Sequence, residues 1–333
     1  MRFNPNNMLV IDLGALGEAI SSLPALRALR RHYPNTKITV AANTTGAEII
    51  RLSGYVDEII HIKRRSQNTS PVATGLRLIK LAKQLRQRKF DFVIDLNSSQ
   101  ETNLMTWITG SKNRLAARRP GNPLDFLINI KAPTRVSGKY ADERNLDVLL
   151  PLGITNVNTD FSLPTNAISD KKIDQLLTKA GLKPGELVIG LDFPQSSIGP
   201  FAELASLLVQ NFNAKAILLT DPEMGSPAKE IASRMPKGKL IALDKLNMSE
   251  LISATARCTL LVTAGSGIMQ IGSAVGVPTL AVLDSSVSGS AEPRGGHSRA
   301  LRYSDFNSID VTEVYSTACE MLGKSRTSQL FQR

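Results

Sequence analysis

Two glycine-bearing segments, each following a short apolar run, hold the residues best able to do chemistry. The first is Asp12-Leu13-Gly14-Ala15-Leu16-Gly17-Glu18, directly after Met8–Ile11. Its carboxylates, Asp12 and Glu18, flank a flexible turn, an arrangement suited to taking a proton from a substrate hydroxyl. Glu18 falls in the first turn of the following helix, where the macrodipole favours its charged form; an ordinary N-terminal helix acid fits that position equally well. The segment lacks both the Gly-Lys-Ser/Thr of a Walker loop and a full GxGxxG, which argues against a nicotinamide cofactor. The second segment is Thr263-Ala264-Gly265-Ser266-Gly267-Ile268-Met269-Gln270. Small residues there admit a ligand close to the backbone, and the free N–H groups of the next helix suit a phosphate or diphosphate. Ser266 fits a helix cap and Gln270 is placed to reach a ligand hydroxyl. A tight strand-to-helix turn that needs glycine for packing accounts for the same residues.

Alternating elements must position these segments. Met8–Ile11 reads as a strand covered on both faces, Glu18–Tyr33 as a helix with Pro24 inside it, and Lys37–Ala42 as a second strand. Val56–Ile62 and Phe90–Leu96 read as further strands, with a helix over Gly75–Arg88 between them. After the polar, proline-containing stretch Asn156–Pro184, which holds a short helix near Ser169–Ala180, a second series begins. Strands are expected at Leu187–Leu191, Lys215–Leu219, Leu240–Leu243, Thr259–Val262 and Pro278–Leu283. Helices are expected at Phe201–Phe212, Pro227–Met235, Met248–Ala256 and Ile268–Val275. Such alternation predicts two doubly wound α/β domains with parallel sheets facing a central cleft, over residues 1–160 and 161–323, and a tail over 324–333. In such sheets ligands bind beyond the carboxyl ends of strands. Asp95, ending the Phe90–Leu96 strand, is therefore a candidate to position a substrate.

Composition narrows the class. The 333 residues are 42% hydrophobic and 21% charged, a globular mix that excludes disordered and fibrous chains. Two cysteines, Cys258 and Cys319, build no disulfide framework and lack metal spacing, so no metal site is expected and a reducing, cytoplasmic compartment fits. The long uncharged stretch Cys258–Leu283 is broken by glycines, Pro278 and Gln270, and reads as strand, turn, helix and strand rather than a membrane span. The net charge of +11 is unevenly placed: residues 1–165 carry 23 Lys+Arg against 13 Asp+Glu. No acid occurs between Ile59 and Phe90, whereas Lys63, Arg64, Arg65, Arg77, Lys80, Lys83, Arg86, Arg88 and Lys89 do. A polyanionic partner or a solvated helix face explains this block. Nucleic acid fits poorly, because aromatics are 5% of the chain and none interleave with the cations. His32 and His61 read as surface residues, and Trp107 as packed inside the first domain.

The two segments together, LVIDLGALGEAISSLPALRALRRHYPNTKITV and LLVTAGSGIMQIGSAVGVPTLAVL, resemble the family 9 glycosyltransferases, the heptosyltransferases of lipopolysaccharide core assembly. The intervening YVDEIIHI, KFDFVIDLNSS, LDVLLPLGI, LVIGLDFPQSS and AELASLL occur in the family's order, so the resemblance covers most of residues 8–285. It implies a GT-B fold of two Rossmann-like domains, the first for the acceptor and the second for a nucleotide-sugar. It also implies inverting, metal-independent transfer with no cofactor beyond the nucleotide-diphosphate sugar, ADP-heptose being the family's donor. An anionic lipopolysaccharide-type acceptor would draw the basic first domain to the inner membrane.

Carried onto this chain, the family's presumed base falls on Glu18, where the family has Asp after the glycine. Acceptor contacts fall on Asp12, Gly14, Ala15 and Asp95. Donor contacts fall on Ser196, Ser197, Glu223, Ser266, Gly267, Ile268, Met269 and Gln270. Several family features are changed. Asp12 stands where a Lys or Arg is usual, the loop Phe193–Pro200 lacks the family's Lys and Trp, and the family's Asp-Thr/Ser-Gly-Pro-x-His reads Gly265–Gln270. Arg294 or His297 could replace a lost cation. Three readings follow: an active transferase with altered substrates, a catalytically inactive GT-B-like binding protein, and a nucleotide-dependent enzyme of another class.

Overall fold

The structure is a computed structural model that describes residues 3–62, 81–134, 140–155, 157–159, 162–194, 197–219, 228–243, 245–285, 292–293 and 297–330. The chain divides into two compact units, Met1–Phe161 and Ser162–Arg333.

In the first unit, strand β1 (Asn7–Asp12) is followed by helix α1 (Leu16–His32), β2 (Lys37–Ala42), α2 (Thr44–Leu52) and β3 (Glu58–His61). Helical residues 81–87 lead to β4 (Phe92–Asp95), then come α3 (Gln100–Ile108), β5 (Asn113–Ala117), β6 (Ile130–Ala132) and α4 (Ala141–Asp147). The rest of the helix expected over Gly75–Arg88 lies outside the described residues. The strands form one parallel sheet in the order β3-β2-β1-β4-β5-β6. Met8, Leu9, Val10 and Ile11 are fully buried, as a central strand covered on both faces requires. Pro24 is buried within α1, which runs through it unbroken. Its missing N–H costs one helical hydrogen bond, while its ring packs with Leu23 and Leu26 into the core.

The second unit repeats the plan. Helix α5 (Ala167–Lys179) precedes β7 (Leu187–Asp192), α6 (Ile198–Asn211), β8 (Ala214–Leu218), α7 (Ala228–Arg234) and β9 (Leu240–Ala242). Then come α8 (Met248–Ala256), β10 (Leu260–Thr263), α9 (Gly267–Ala274), β11 (Thr279–Asp284), β12 (Ser298–Tyr303) and α10 (Val311–Leu330). The parallel order is β12-β11-β10-β7-β8-β9. Helix α10 continues to Leu330, through most of the segment expected to be a tail. Residues from Ile189 through Leu322 make one core cluster, with Phe201, Leu208, Leu260 and Val314 at 1% exposure or less. Both units therefore show the two-halved order of a Rossmann-like sheet, which reverses direction between β1 and β4 in one and between β7 and β10 in the other.

Cys258 is enclosed in the second unit, and burial pushes its thiol up to about 12. Gly190 makes room for it, since a Cβ there would lie 2.7 Å from the Cys258 Sγ. Among the described residues no helix is long and apolar enough to cross a membrane, and no cluster of His, Cys, Asp and Glu could hold a metal ion.

Candidate active site

The reversal point of the first sheet lies where β1 and β4 end, and both strands end in Asp. Asp12 is 2% exposed and its Oδ1 accepts the Gly14 N–H at 3.2 Å, closing the turn. Asparagines from the two neighbouring strand ends hold the loop. Asn97 Oδ1 accepts the Leu13 N–H at 2.7 Å, and Asn43 Nδ2 donates to the Gly14 carbonyl at 2.5 Å. Asn43 also caps α2 through the Gly46 N–H at 2.7 Å, so one side chain fixes both the helix start and the loop.

Glu18 is exposed at the third position of α1. The N-cap residue, Ala15, has no side-chain acceptor to offer, and Glu18 Oε2 reaches back to its N–H at 3.0 Å. The Oε1 atom has no hydrogen-bond partner among the described residues. One oxygen of this exposed carboxylate is thereby held in place while the other is left without a bond, an arrangement compatible with a positioned base. Gly14 is obligatory here: a Cβ would come 2.5 Å from Glu18 Cβ, 2.7 Å from Oε2 and 3.1 Å from Asp12 Oδ1. The structure thus gathers Asp12, Gly14, Ala15 and Glu18 on one short loop.

Asp95 has a different place from the one expected for an acceptor contact. It is fully buried, and its Oδ1 accepts the Ser98 N–H at 2.8 Å. Ser98 sits in the left-handed region at φ 53° and is held there by its hydroxyl, which donates to the Asp95 carbonyl and accepts from Ala117 N–H. Asp95 therefore builds the loop that carries Asn97 instead of presenting a carboxylate to solvent. Sequence reading places a residue at a strand end but not the direction of its side chain.

In the second unit the corresponding point lies between β7 and β10. Asp192 ends β7, is 5% exposed, and is the register partner of Thr263. Its Oδ2 accepts the Thr263 hydroxyl at 2.6 Å and the Ser266 hydroxyl at 2.5 Å. Ser266 is the N-cap of α9, where its Oγ accepts the Ile268 N–H at 3.0 Å. A carboxylate from β7 thus fixes the cap that opens α9, and Gly267 N–H is left as a first-turn amide without an intrahelical acceptor. Sequence reading passed over Asp192. Its signal was present, an apolar strand run closed by Asp just as in Asp12 and Asp95. Gly265 adopts φ 89°, and a Cβ there would lie 2.7 Å from Leu283 Cδ2, so this turn has no room for a longer residue.

The other donor-side candidates separate. Ser266, Gly267 and Gln270 are half-buried at the start of α9. Ile268 and Met269 are 0% and 1% exposed, with Met269 packed against Ala281 and Leu283, so their side chains belong to the core. Helical spacing turns those positions inward once α9 lies on the sheet. Ser197 is fully buried and donates to the Pro194 carbonyl at 3.0 Å within its own turn, which withdraws it from a ligand. Ser196, Glu223 and Arg294 lie outside the described residues. His297 is exposed at the turn before β12, and His32 and His61 are exposed as expected. Trp107, expected inside the first unit, is 47% exposed.

Residues 78–313 match the profile of glycosyltransferase family 9 (heptosyltransferase). The chain belongs to that family. Among solved structures it is similar to the glycosyl transferase family 9 protein of Veillonella parvula DSM 2008, at TM-score 0.81 and 19% identity over 97% of this chain and 99% of that one. The E. coli ADP-heptose lps heptosyltransferase II superposes at TM-score 0.74 and 19% identity, over 96% of this chain and 99% of that one. These likenesses establish the fold, the GT-B type with two Rossmann-like units. Among curated proteins, lipopolysaccharide heptosyltransferase 3 of Escherichia coli (strain K12) is 25% identical over 52% of this chain and 50% of its own length. The matched region thus spans about half of that relative.

Proposed function

We propose that the protein is a glycosyltransferase moving a heptose-like sugar from a nucleoside diphosphate donor to a hydroxyl of an anionic, lipopolysaccharide-type glycan. The observation that carries this reading is Glu18, an exposed carboxylate at the reversal point of the first sheet whose Oε2 accepts the Ala15 N–H. In the reaction, the acceptor hydroxyl gives its proton to Glu18 as its oxygen bonds to the anomeric carbon. The bond from that carbon to the diphosphate breaks and the nucleoside diphosphate leaves with the electron pair. Attack opposite the leaving group inverts the anomeric carbon, and the charge on the leaving diphosphate falls to the N-terminus of α9 instead of a metal ion. The first unit then takes the acceptor and the second the donor. Solved relatives include an ADP-heptose heptosyltransferase and a heptosyltransferase with ADP, which makes ADP-heptose the first donor to try. Such an acceptor places the work in the cytoplasm, beside the inner membrane.

One observation favours a second reading, an inactive GT-B-like binding protein. The Asp192 carboxylate lies 2.5 Å from Ser266 Oγ, beside the helix start that would receive a diphosphate, and it opposes that charge. Calorimetric titration with ADP, UDP, GDP and ADP-heptose separates the two. Selective binding of one of these diphosphates, followed by its release on transfer to a glycolipid acceptor, is expected. Absence of binding up to millimolar concentration overturns the transferase reading.

A further inference from the structure

Helix α1 ends in three basic residues, Arg30, Arg31 and His32, with Arg27 one turn before Arg31. Arg30 is fully used by the fold: it pairs with Asp57 and donates to the carbonyls of Tyr55, Pro34 and Thr36. The other three face a different surface. Helix α4 packs against α1, and beyond it the chain turns at Gly153, at φ 78°, toward the end of α1. Arg27 Nη2 donates to the Asn158 carbonyl at 2.6 Å, which ties that returning segment to the helix.

Between helix and segment lies a cavity of about 450 Å³ lined by Arg27, Arg31, His32, Ile154 and Asn158, and no acid stands in its lining among the described residues. Arg31 has no hydrogen-bond or ion-pair partner among the described residues, and Arg27 uses one nitrogen on Asn158. The His32 ring rests edge-on against buried Tyr33, at 4.6 Å between centroids. Ile154 is 7% exposed, yet its N–H has no acceptor among the described residues. A buried donor of this kind is ordinarily satisfied. Basic residues at a helix end complement its dipole, but Arg27 and Arg31, four residues apart, repel each other, and the dipole calls for no cavity. Other cations of the first unit are placed differently. Arg51 donates to the His61 ring, and the cavity beside Arg86, Lys89 and Lys112 includes the carboxylate of Asp91.

We propose that this cavity binds a phosphate group, as the free ion or as the monoester of a small molecule. Two guanidinium forks one turn apart offer paired N–H donors that match phosphate oxygens, and the His32 ring and the Ile154 N–H are further donors. A carboxylate has two oxygens and satisfies one fork; a phosphate has enough for both. Bound there, the anion would also relieve the repulsion between Arg27 and Arg31. The site is separate from the catalytic loop, because the stretch of α1 from Glu18 to Arg31 spans roughly 20 Å. It therefore stands whether or not the transferase reading does.

The chain has three histidines, so the His32 ring can be followed by NMR in the full-length, histidine-labelled protein and assigned with His32→Gln. Inorganic phosphate, glucose 6-phosphate and sodium chloride are titrated separately at constant pH and matched ionic strength. A saturable shift of His32 with phosphate or the ester, and none with chloride, is expected. Tighter binding of the ester assigns the site to a phosphomonoester, and equal affinity assigns it to the free ion; both support the proposal. Arg31→Gln removes a side chain that bonds to nothing else among the described residues, so it should weaken binding roughly tenfold at an unchanged unfolding temperature. Absence of a His32 shift up to tens of millimolar phosphate, an equal shift with chloride, or undiminished affinity in Arg31→Gln overturns the proposal. Shifts confined to His61 or His297 place the ion elsewhere and overturn it too. The wild-type titration decides the matter even if a variant fails to fold.

Discussion

Replacing Asp192 tests how the second unit builds the turn that opens α9. In Asp192→Ala the Thr263 hydroxyl, fully buried, loses the acceptor 2.6 Å away, and the half-buried Ser266 hydroxyl loses the one 2.5 Å away. A hydrogen bond to a charged acceptor contributes about 1.5–3 kcal/mol. Water can replace part of the loss at Ser266 but not at Thr263, so the variant should lose about 3–5 kcal/mol. For a unit of this size that lowers the unfolding temperature by roughly 10 °C. Ser266→Ala alone should cost about 1–2 kcal/mol, because it removes a cap and one of the two bonds. The two changes share a bond, so the double variant should fall short of their sum by about 1–2 kcal/mol. Denaturant unfolding of the four proteins, followed by circular dichroism, completes the cycle. A loss below about 1 kcal/mol in Asp192→Ala, or strict additivity in the double variant, would refute the claim that this carboxylate organises the turn.

Glu18→Gln keeps an acceptor for the Ala15 N–H but cannot take a proton, so turnover should fall by about 10²–10⁴-fold while nucleotide affinity and unfolding temperature stay near wild type; nucleoside diphosphate release and calorimetry check both. Glu250, buried at the start of α8, has its carboxyl held below the usual range, first by the bond from Lys172 at 2.6 Å. A depressed carboxylate stabilises the fold above its ordinary pKa and loses that contribution as pH falls through the lower folded value. Glu250→Gln should thus cost about 1–2 kcal/mol at neutral pH, and the gap to wild type should narrow below about pH 4 in parallel denaturation series. Cys258, with its thiol pushed up to about 12 by burial, should resist a thiol reagent at pH 8 in the native protein and react on unfolding, as mass spectrometry of the labelled peptides would show.

Much of the architecture could be read from the chain before any contact was known. Runs such as Met8–Ile11 and Leu187–Leu191 are apolar at every position, a pattern that suits only strands covered on both faces, and helical spacing between them implies parallel crossovers. Strands β5, β6 and β12 are not legible in the sequence, because their partly exposed residues give no continuous apolar run. The two loops with chemical potential were also visible, because strand, glycine turn and helix are adjacent in sequence. The family resemblance rested on the same local segments.

Tertiary structure alone decided which strand ends lie side by side, and with that the composition of each site. Asn43 and Asn97 stand about 30 and 84 residues from the loop they hold, and Asp192 lies 71 and 74 residues from the two hydroxyls it gathers. No local pattern records such pairings, which follow from the sheet order. The same limit explains the side chains that turned the other way. Asp95 points into its own loop and Ile268 and Met269 into the core, while Trp107 is left in solvent. A residue's type and spacing fix the element it occupies; the face it presents depends on what packs above it, and that is settled only when the whole sheet and its helices close around the core.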